Sequence, residues 1–191
     1  SIIKGYDNGG AAGISFLTEK KFFNGSSVEF TEARRITNLP MLRKDFIIDE
    51  YQIIESKSIG ADAILLIAAC LNSSQIKNLS KLAKSFDLEV LIEIHDLEDL
   101  NKSCIDSIDM IGINNRNLKT FDVNIETSLN LVEKIPSSFT KISESGLNNS
   151  SEIMKLKNSG FDGFLIGERF MKSSNPGEEL SNFISKIKNE S

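Results

Sequence analysis

A chain of 191 residues can bury one sizeable core, and 40% hydrophobic with 26% charged residues is ordinary soluble globular composition. The net charge of −5, with no basic stripe, argues against nucleic acid as a partner, so any bound anion must be held by local geometry. No apolar run suits a bilayer span and no signal peptide is visible; the single histidine rules out a multi-histidine metal site, and Cys70 and Cys104 match no metal or redox spacing and are expected reduced and packed, as in a cytoplasmic protein.

In chain order, Ser1 opens a stretch that already reads as mid-helix, so a segment is expected upstream, and residues 2–8 form an amphipathic remnant stopped at Gly9-Gly10. Residues 11–17 (AAGISFL) read as a buried strand, 18–26 as a loop, and 30–37 as a helix with Glu29 and Glu32 early and Arg34-Arg35 late, as the helix dipole favours. After Pro40 a short strand delivers Lys44 and Asp45, and a helix over 50–59 stops at Gly60. Strands follow at 61–67, 88–94, 107–113, 139–142 and 163–166. They alternate with helices at 73–86, led by Asn72, at 96–103, at 125–134, and at 150–159, led by Asn149. A helical turn after Gly167 and a last helix from about 176 to 189 complete the chain.

Strand, polar loop and helix thus recur about every 25 residues. Strands that are apolar without alternation, joined by helices, predict an α/β fold with a parallel sheet covered on its outer face. Seven strands are one short of a (β/α)8 barrel, yet polar residues stand at strand carboxyl ends all along the chain, where a doubly wound sheet would equip only its switch point. The expectation is a single-domain TIM barrel lacking its first strand.

Side-chain parity then predicts a site. Leu42 with Lys44, Leu91 with Glu93, and Gly112 with Asn114 each share a strand face. If those faces point inward, an amine, a carboxylate and an amide meet at the barrel mouth, a set suited to general acid–base work. Asp45 either orients Lys44 or, the favoured role, caps the next helix. His95 reads as a loop residue rather than a catalyst. On spacing alone Arg116 is either a ligand for a substrate carboxylate or an exposed arginine. The glycine turns Ser145-Gly146 and Gly167-Glu168 follow the last two strands, a frequent place for phosphate in such barrels, where backbone N–H groups approach an anion.

Taken together, Gly13 to Glu19 with Phe23-Asn24-Gly25-Ser26, Leu42-Arg43-Lys44-Asp45-Phe46, Ala61 to Ile67, Leu91-Ile92-Glu93, Ile111 to Leu118, Ser143-Glu144-Ser145-Gly146 and Leu165-Ile166-Gly167-Glu168 resemble the indole-3-glycerol phosphate synthase family of tryptophan biosynthesis across the whole chain. The resemblance implies a carbon–carbon lyase that closes the ring of 1-(2-carboxyphenylamino)-1-deoxyribulose 5-phosphate with loss of CO2 and water. Its partner is a small phosphorylated substrate, and no metal or organic cofactor is needed. It implies that Lys44 protonates the substrate carbonyl oxygen, Glu93 transfers protons and stabilises cationic character, and Asn114 binds a hydroxyl. By the same resemblance Glu144 and Ser145 line the pocket, Arg116 lies near the anthranilate carboxylate, and Gly146, Gly167 and the Glu168 backbone cradle the phosphate, with the Glu168 side chain turned away. The family's N-terminal extension, its first strand with a glutamate and a second lysine, and a serine loop have no counterpart in these residues. Turnover is therefore expected to be lower by several orders of magnitude, and the flanking strands to offer edges for self-association. The alternatives are another phosphate-binding barrel enzyme such as phosphoribosylanthranilate isomerase, against which LRKDF and INNRN argue, and a non-catalytic barrel that binds a phosphorylated ligand.

Overall fold

The structure, a computed structural model, describes residues 1–117 and 120–190; Leu118 of the INNRNL stretch lies outside the described residues. The strands are β1 (Ile14–Leu17), β2 (Met41–Lys44), β3 (Ala63–Ile67), β4 (Glu89–Ile94), β5 (Met110–Asn114), β6 (Thr140–Glu144) and β7 (Gly163–Leu165). The helices are α1 (Ile2–Gly9), α2 (Ser27–Arg34), α3 (Glu50–Ser58), α4 (Ser73–Ser85), α5 (Leu97–Ser103), α6 (Glu126–Leu131), α7 (Ser150–Asn158), α8 (Glu168–Met171) and α9 (Pro176–Glu190). Each strand pairs in parallel with the next, in the order β1 to β7, so among the described residues β1 and β7 are the sheet's edges. This is barrel winding carried over seven strands. No helix among the described residues is long and apolar enough to cross a membrane.

Helix starts follow from side chains that accept orphan N–H groups. Reciprocal capping boxes open α3 (Asp49 with Gln52), α4 (Asn72 with Gln75) and α7 (Asn149 with Glu152). Helix α2 begins and ends three residues before its expected place, because the Ser26 hydroxyl accepts the Glu29 N–H (3.2 Å) and sets the start. Strand β1 starts at Ile14 rather than residue 11, and β5 at Met110 rather than 107; ahead of β5 the chain turns, with the Ile108 N–H on the Ile105 carbonyl.

Asp62, Asp109 and Asp162 stand just before β3, β5 and β7, and each carboxylate accepts an N–H at the start of the preceding strand: Met41, Val90 and Lys141, each at 2.8 Å. These bonds satisfy strand-start donors at the end of the sheet opposite the polar loops.

Alternation along the strands divides the apolar residues into two cores. Ile64, Leu66, Val90, Ile92, Ile111 and Ile113 face the helices and join the large outer cluster. Leu65, Ile67 and Leu91 face inward, with Leu42, Phe46, Met110, Ile142 and Leu165 against them. Strand β3 is buried at every position because both its faces are covered.

Helix α1 packs on α9, joining the two ends of the chain, and the contact is made through glycines. A Cβ on Gly177 would sit 2.5 Å from the Gly5 Cα, backbone against backbone. Gly177→Ala is expected to push these helices apart and cost about 1–3 kcal/mol, read as a lower midpoint in chemical denaturation; an unchanged midpoint would mean that the contact yields freely.

Candidate active site

The end of β2 places two cations on opposite faces. Arg43 turns outward and is buried against α3, with Nε donating to Thr18 Oγ1 (2.9 Å) and Nη2 to Asp45 Oδ2 (3.0 Å) and Glu55 Oε2 (2.6 Å). Asp45 therefore does not cap α3, a role taken by Asp49; its Oδ2 also accepts from Thr18 Oγ1 (2.6 Å) and its Oδ1 from the Phe46 N–H (2.8 Å). Lys44, the next residue along, turns inward.

At the mouth, Lys44 Nζ lies 3.1 Å from Glu144 Oε2 and 3.5 Å from Glu93 Oε2. The side chain of Lys44 is 25% exposed, against 4% for Glu93 and 1% for Glu144, so Lys44 is the most exposed of the three. Glu144 has room because β5 carries a glycine opposite it. A Cβ on Gly112 would fall 2.1 Å from Glu144 Oε1, which is buried without a hydrogen-bond partner among the described residues. Asn114 pairs in register with Glu144 on the same face as Gly112, and its Oδ1 accepts the Arg116 N–H (2.9 Å). Asn115, one residue on, turns the other way: its Nδ2 donates to Ser143 Oγ and the Ser145 carbonyl, both at 3.1 Å, tying β5 to β6.

Burial pushes the Glu144 carboxyl above the usual carboxylate range; Lys44 opposes this and Glu93 adds to it. For Lys44, burial acts to lower the ammonium's pKa, but Glu144 and Glu93 together outweigh it and the net shift is upward. With one cation between two buried carboxyl groups the three titrations are shared, and the Glu144 carboxyl is held above its usual range.

The loops after β6 and β7 lie side by side. Ser145 and Gly146 both adopt left-handed backbone (φ 67° and 72°), a conformation that costs energy for serine and is characteristic of functional turns. Gly167 has an ordinary negative φ and nothing within 4 Å of a Cβ built on it, so neither backbone nor packing requires glycine there. Helix α8 behind it is a single turn. The Glu168 side chain is exposed and takes Lys172 (2.7 Å) and Arg116 (3.0 Å), whose charges hold its carboxyl below the usual range. Arg116 is thus engaged by Glu168 in this state.

The structure unites Lys44 with Glu93 and brings in Glu144, which residue-level reading had not joined to them. The signal was present, since Ile142 and Glu144 obey the same parity as Gly112 and Asn114. An aromatic wall was also missed. Phe46, two residues beyond Lys44, packs on the inner core and carries Phe22 and Phe23 on its ring (centroids 6.4 and 6.3 Å). Glu19 fixes the turn that presents them by accepting the N–H groups of Lys21, Phe22 and Phe23. Among the described residues no group of three or more histidine, cysteine, aspartate or glutamate side chains is placed to hold a metal ion.

The family description "Indole-3-glycerol phosphate synthase" matches residues 1–183. Proteins of that name from Bacteroides thetaiotaomicron and Campylobacter fetus are each 48% identical to the chain over 97% of it, and 71% and 70% of their own length is covered. One from Polaromonas naphthalenivorans is 44% identical over 94% of the chain and 68% of its own length. Among solved structures, KGPDC from Streptococcus mutans superposes with a TM-score of 0.74 at 13% identity, over 98% of this chain and 90% of that one, a likeness of fold.

Because the native state raises the Glu144 pKa, it binds the proton more tightly than the unfolded chain does. Stability must then fall as pH rises from the ordinary glutamate range toward that raised value. The Lys44 contribution has the same sign at higher pH, complete below the ordinary lysine range and lost only as pH rises through its elevated value. Denaturation curves from about pH 4 to pH 8 should therefore show the wild type losing ground to Glu144→Gln as pH rises; a constant gap would remove the raised carboxyl.

Proposed function

The chain belongs to the indole-3-glycerol phosphate synthase family, and we propose that Lys44, Glu93 and Glu144 form the acid–base centre of that family's reaction here. The observation that carries this reading is the Lys44 ammonium held 3.1 Å and 3.5 Å from two carboxyl groups at the mouth of the sheet. The substrate is 1-(2-carboxyphenylamino)-1-deoxyribulose 5-phosphate and the product indole-3-glycerol phosphate.

In the first step the ring carbon that bears the carboxylate attacks the ketone carbon, and the carbonyl oxygen takes a proton from Lys44. Breaking the bond to CO2 returns an electron pair to the ring. The new hydroxyl then leaves as water, and a proton is lost from the adjacent carbon to complete the indole. Glu93 stands on the far side of Lys44 from solvent, placed to receive a proton and to face the positive charge that develops toward nitrogen. Ionised Glu144 supports the charged state of Lys44, and when protonated it supplies a further donor.

The rest of the substrate fits the surrounding groups. Its benzene ring takes the apolar wall of Phe46, Phe22 and Phe23. Arg116 serves the anthranilate carboxylate once released from Glu168, and Asn114 and Ser145 meet the hydroxyls. The phosphate goes to the backbone of Gly146, Gly167 and Glu168, the last with its side chain turned to solvent. The edges β1 and β7 leave backbone groups unpaired among the described residues and provide for self-association.

Lys44→Gln is expected to lower turnover of this substrate by about 100- to 10,000-fold relative to the unsubstituted chain, followed by the fluorescence of the indole product; a loss of less than about threefold would remove Lys44 from the acid role. Tight binding of indole-3-glycerol phosphate by an unsubstituted chain that shows no turnover would instead favour a non-catalytic phosphate-binding barrel. Sedimentation velocity across a concentration series should show association; one monomeric species throughout would contradict pairing at the edges.

A further inference from the structure

The chain's single histidine sits where the charged cluster meets helix α5, and it is not satisfied there. His95 follows β4 and shares the face of Glu93. Its Nε2 lies 3.6 Å from Glu93 Oε1 and its Nδ1 3.7 Å from Asp99 Oδ2. Both separations exceed a hydrogen bond, and both nitrogens are buried without a hydrogen-bond partner among the described residues. Two idle buried nitrogens on one ring call for a physical reason.

The flanking carboxylates are fixed independently. Asp99 accepts the backbone N–H of His95 (3.1 Å) on Oδ2 and takes Lys102 (3.0 Å) on Oδ1. Glu93 turns Oε2 to Lys44, which leaves Oε1 for the ring. The charged groups facing the imidazole are Glu93 on β4 and Asp99 on α5; Lys102 lies beyond Asp99, Lys44 and Glu144 beyond Glu93, and the exposed Cys70 in the turn after β3 near Glu93, Asp99 and Lys102.

We propose that His95 is the positioning residue of Glu93: with its Nδ1–H directed at Asp99, its Nε2 exchanges one proton with Glu93 Oε1 and so governs when Glu93 can accept a proton from the substrate. This deepens the reaction assigned above and rests on it. When Glu93 has gained a proton, its O–H bond breaks, the electron pair stays on Oε1, and the proton forms an N–H bond on Nε2. The product is an imidazolium between two carboxylates, and reverse transfer restores the neutral ring. Closing 3.6 Å to a hydrogen bond takes under an ångström, and catalytic hydrogen bonds that are long without substrate tighten when it binds.

One histidine gives one imidazole Cε1–H resonance, so proton NMR on the full chain reads His95 directly and without substrate. That resonance should move at fixed pH in Glu93→Gln, and in Asp99→Asn as well, because each removes a carboxylate within 3.7 Å of the ring. The second variant leaves the cluster intact and keeps the test open if Glu93→Gln does not fold. A resonance unmoved from the wild type in both variants overturns the proposal. In turnover, His95→Gln should reduce kcat about tenfold with little change in KM and displace the acid limb of the kcat/KM profile; an unaltered profile overturns the positioning role while leaving the reaction in place. Absence of turnover in the unsubstituted chain strikes the reaction itself, and the NMR resonance still decides whether the ring is coupled to Glu93.

Discussion

The site depends on the contact between Lys44 and Glu144. A carboxyl group with 1% of its side chain exposed could not remain there alone, because removing its charge from water costs more than packing returns. Lys44 compensates it from the solvent side, and Glu93 shares the same ammonium. The arrangement also needs an absent side chain, since any Cβ at residue 112 would occupy the place of Glu144 Oε1. Four strands therefore meet at one point: a lysine ending β2, a glutamate in β4, a glycine in β5 and a glutamate ending β6.

Arg43 shows how the fold sustains that arrangement. It is the neighbour of Lys44 on the chain and its opposite in space. Outside the sheet it is held by Thr18, Asp45 and Glu55, so the strand cannot rotate without burying an unpaired guanidinium. The structural ion cluster outside thus locks the reactive one inside. The two ends of the sheet divide the work in a similar way. Asp62, Asp109 and Asp162 close strand starts at one end, while the strand ends and loops at the other carry Lys44, Asn114, Ser145 and Gly167.

Much of this was legible from residue order. The strand and helix rhythm placed all seven strands, and the two-residue period put Lys44, Glu93 and Asn114 on one face. Boundaries were less legible where two signals competed: the apolar pattern from Phe30 concealed the Ser26 cap of α2, and Ile108 just ahead of Met110 concealed a turn. Asp45 looked like a cap because it precedes a helix, yet Asp49 with Gln52 offered the better reciprocal geometry. His95 is the loop residue it was expected to be, between β4 and α5, but nothing in its local sequence reports that its ring lies between Glu93 and Asp99.

The sequence by itself determined the parallel α/β winding and the inward face of each strand, because both follow from periods of a few residues along one chain. Only the tertiary structure decided that Glu144 shares the ammonium of Lys44, that Glu168 engages Arg116, and that His95 stands between Glu93 and Asp99. Those contacts join residues brought together by the curvature of the sheet, and local periodicity carries no measure of distance across it.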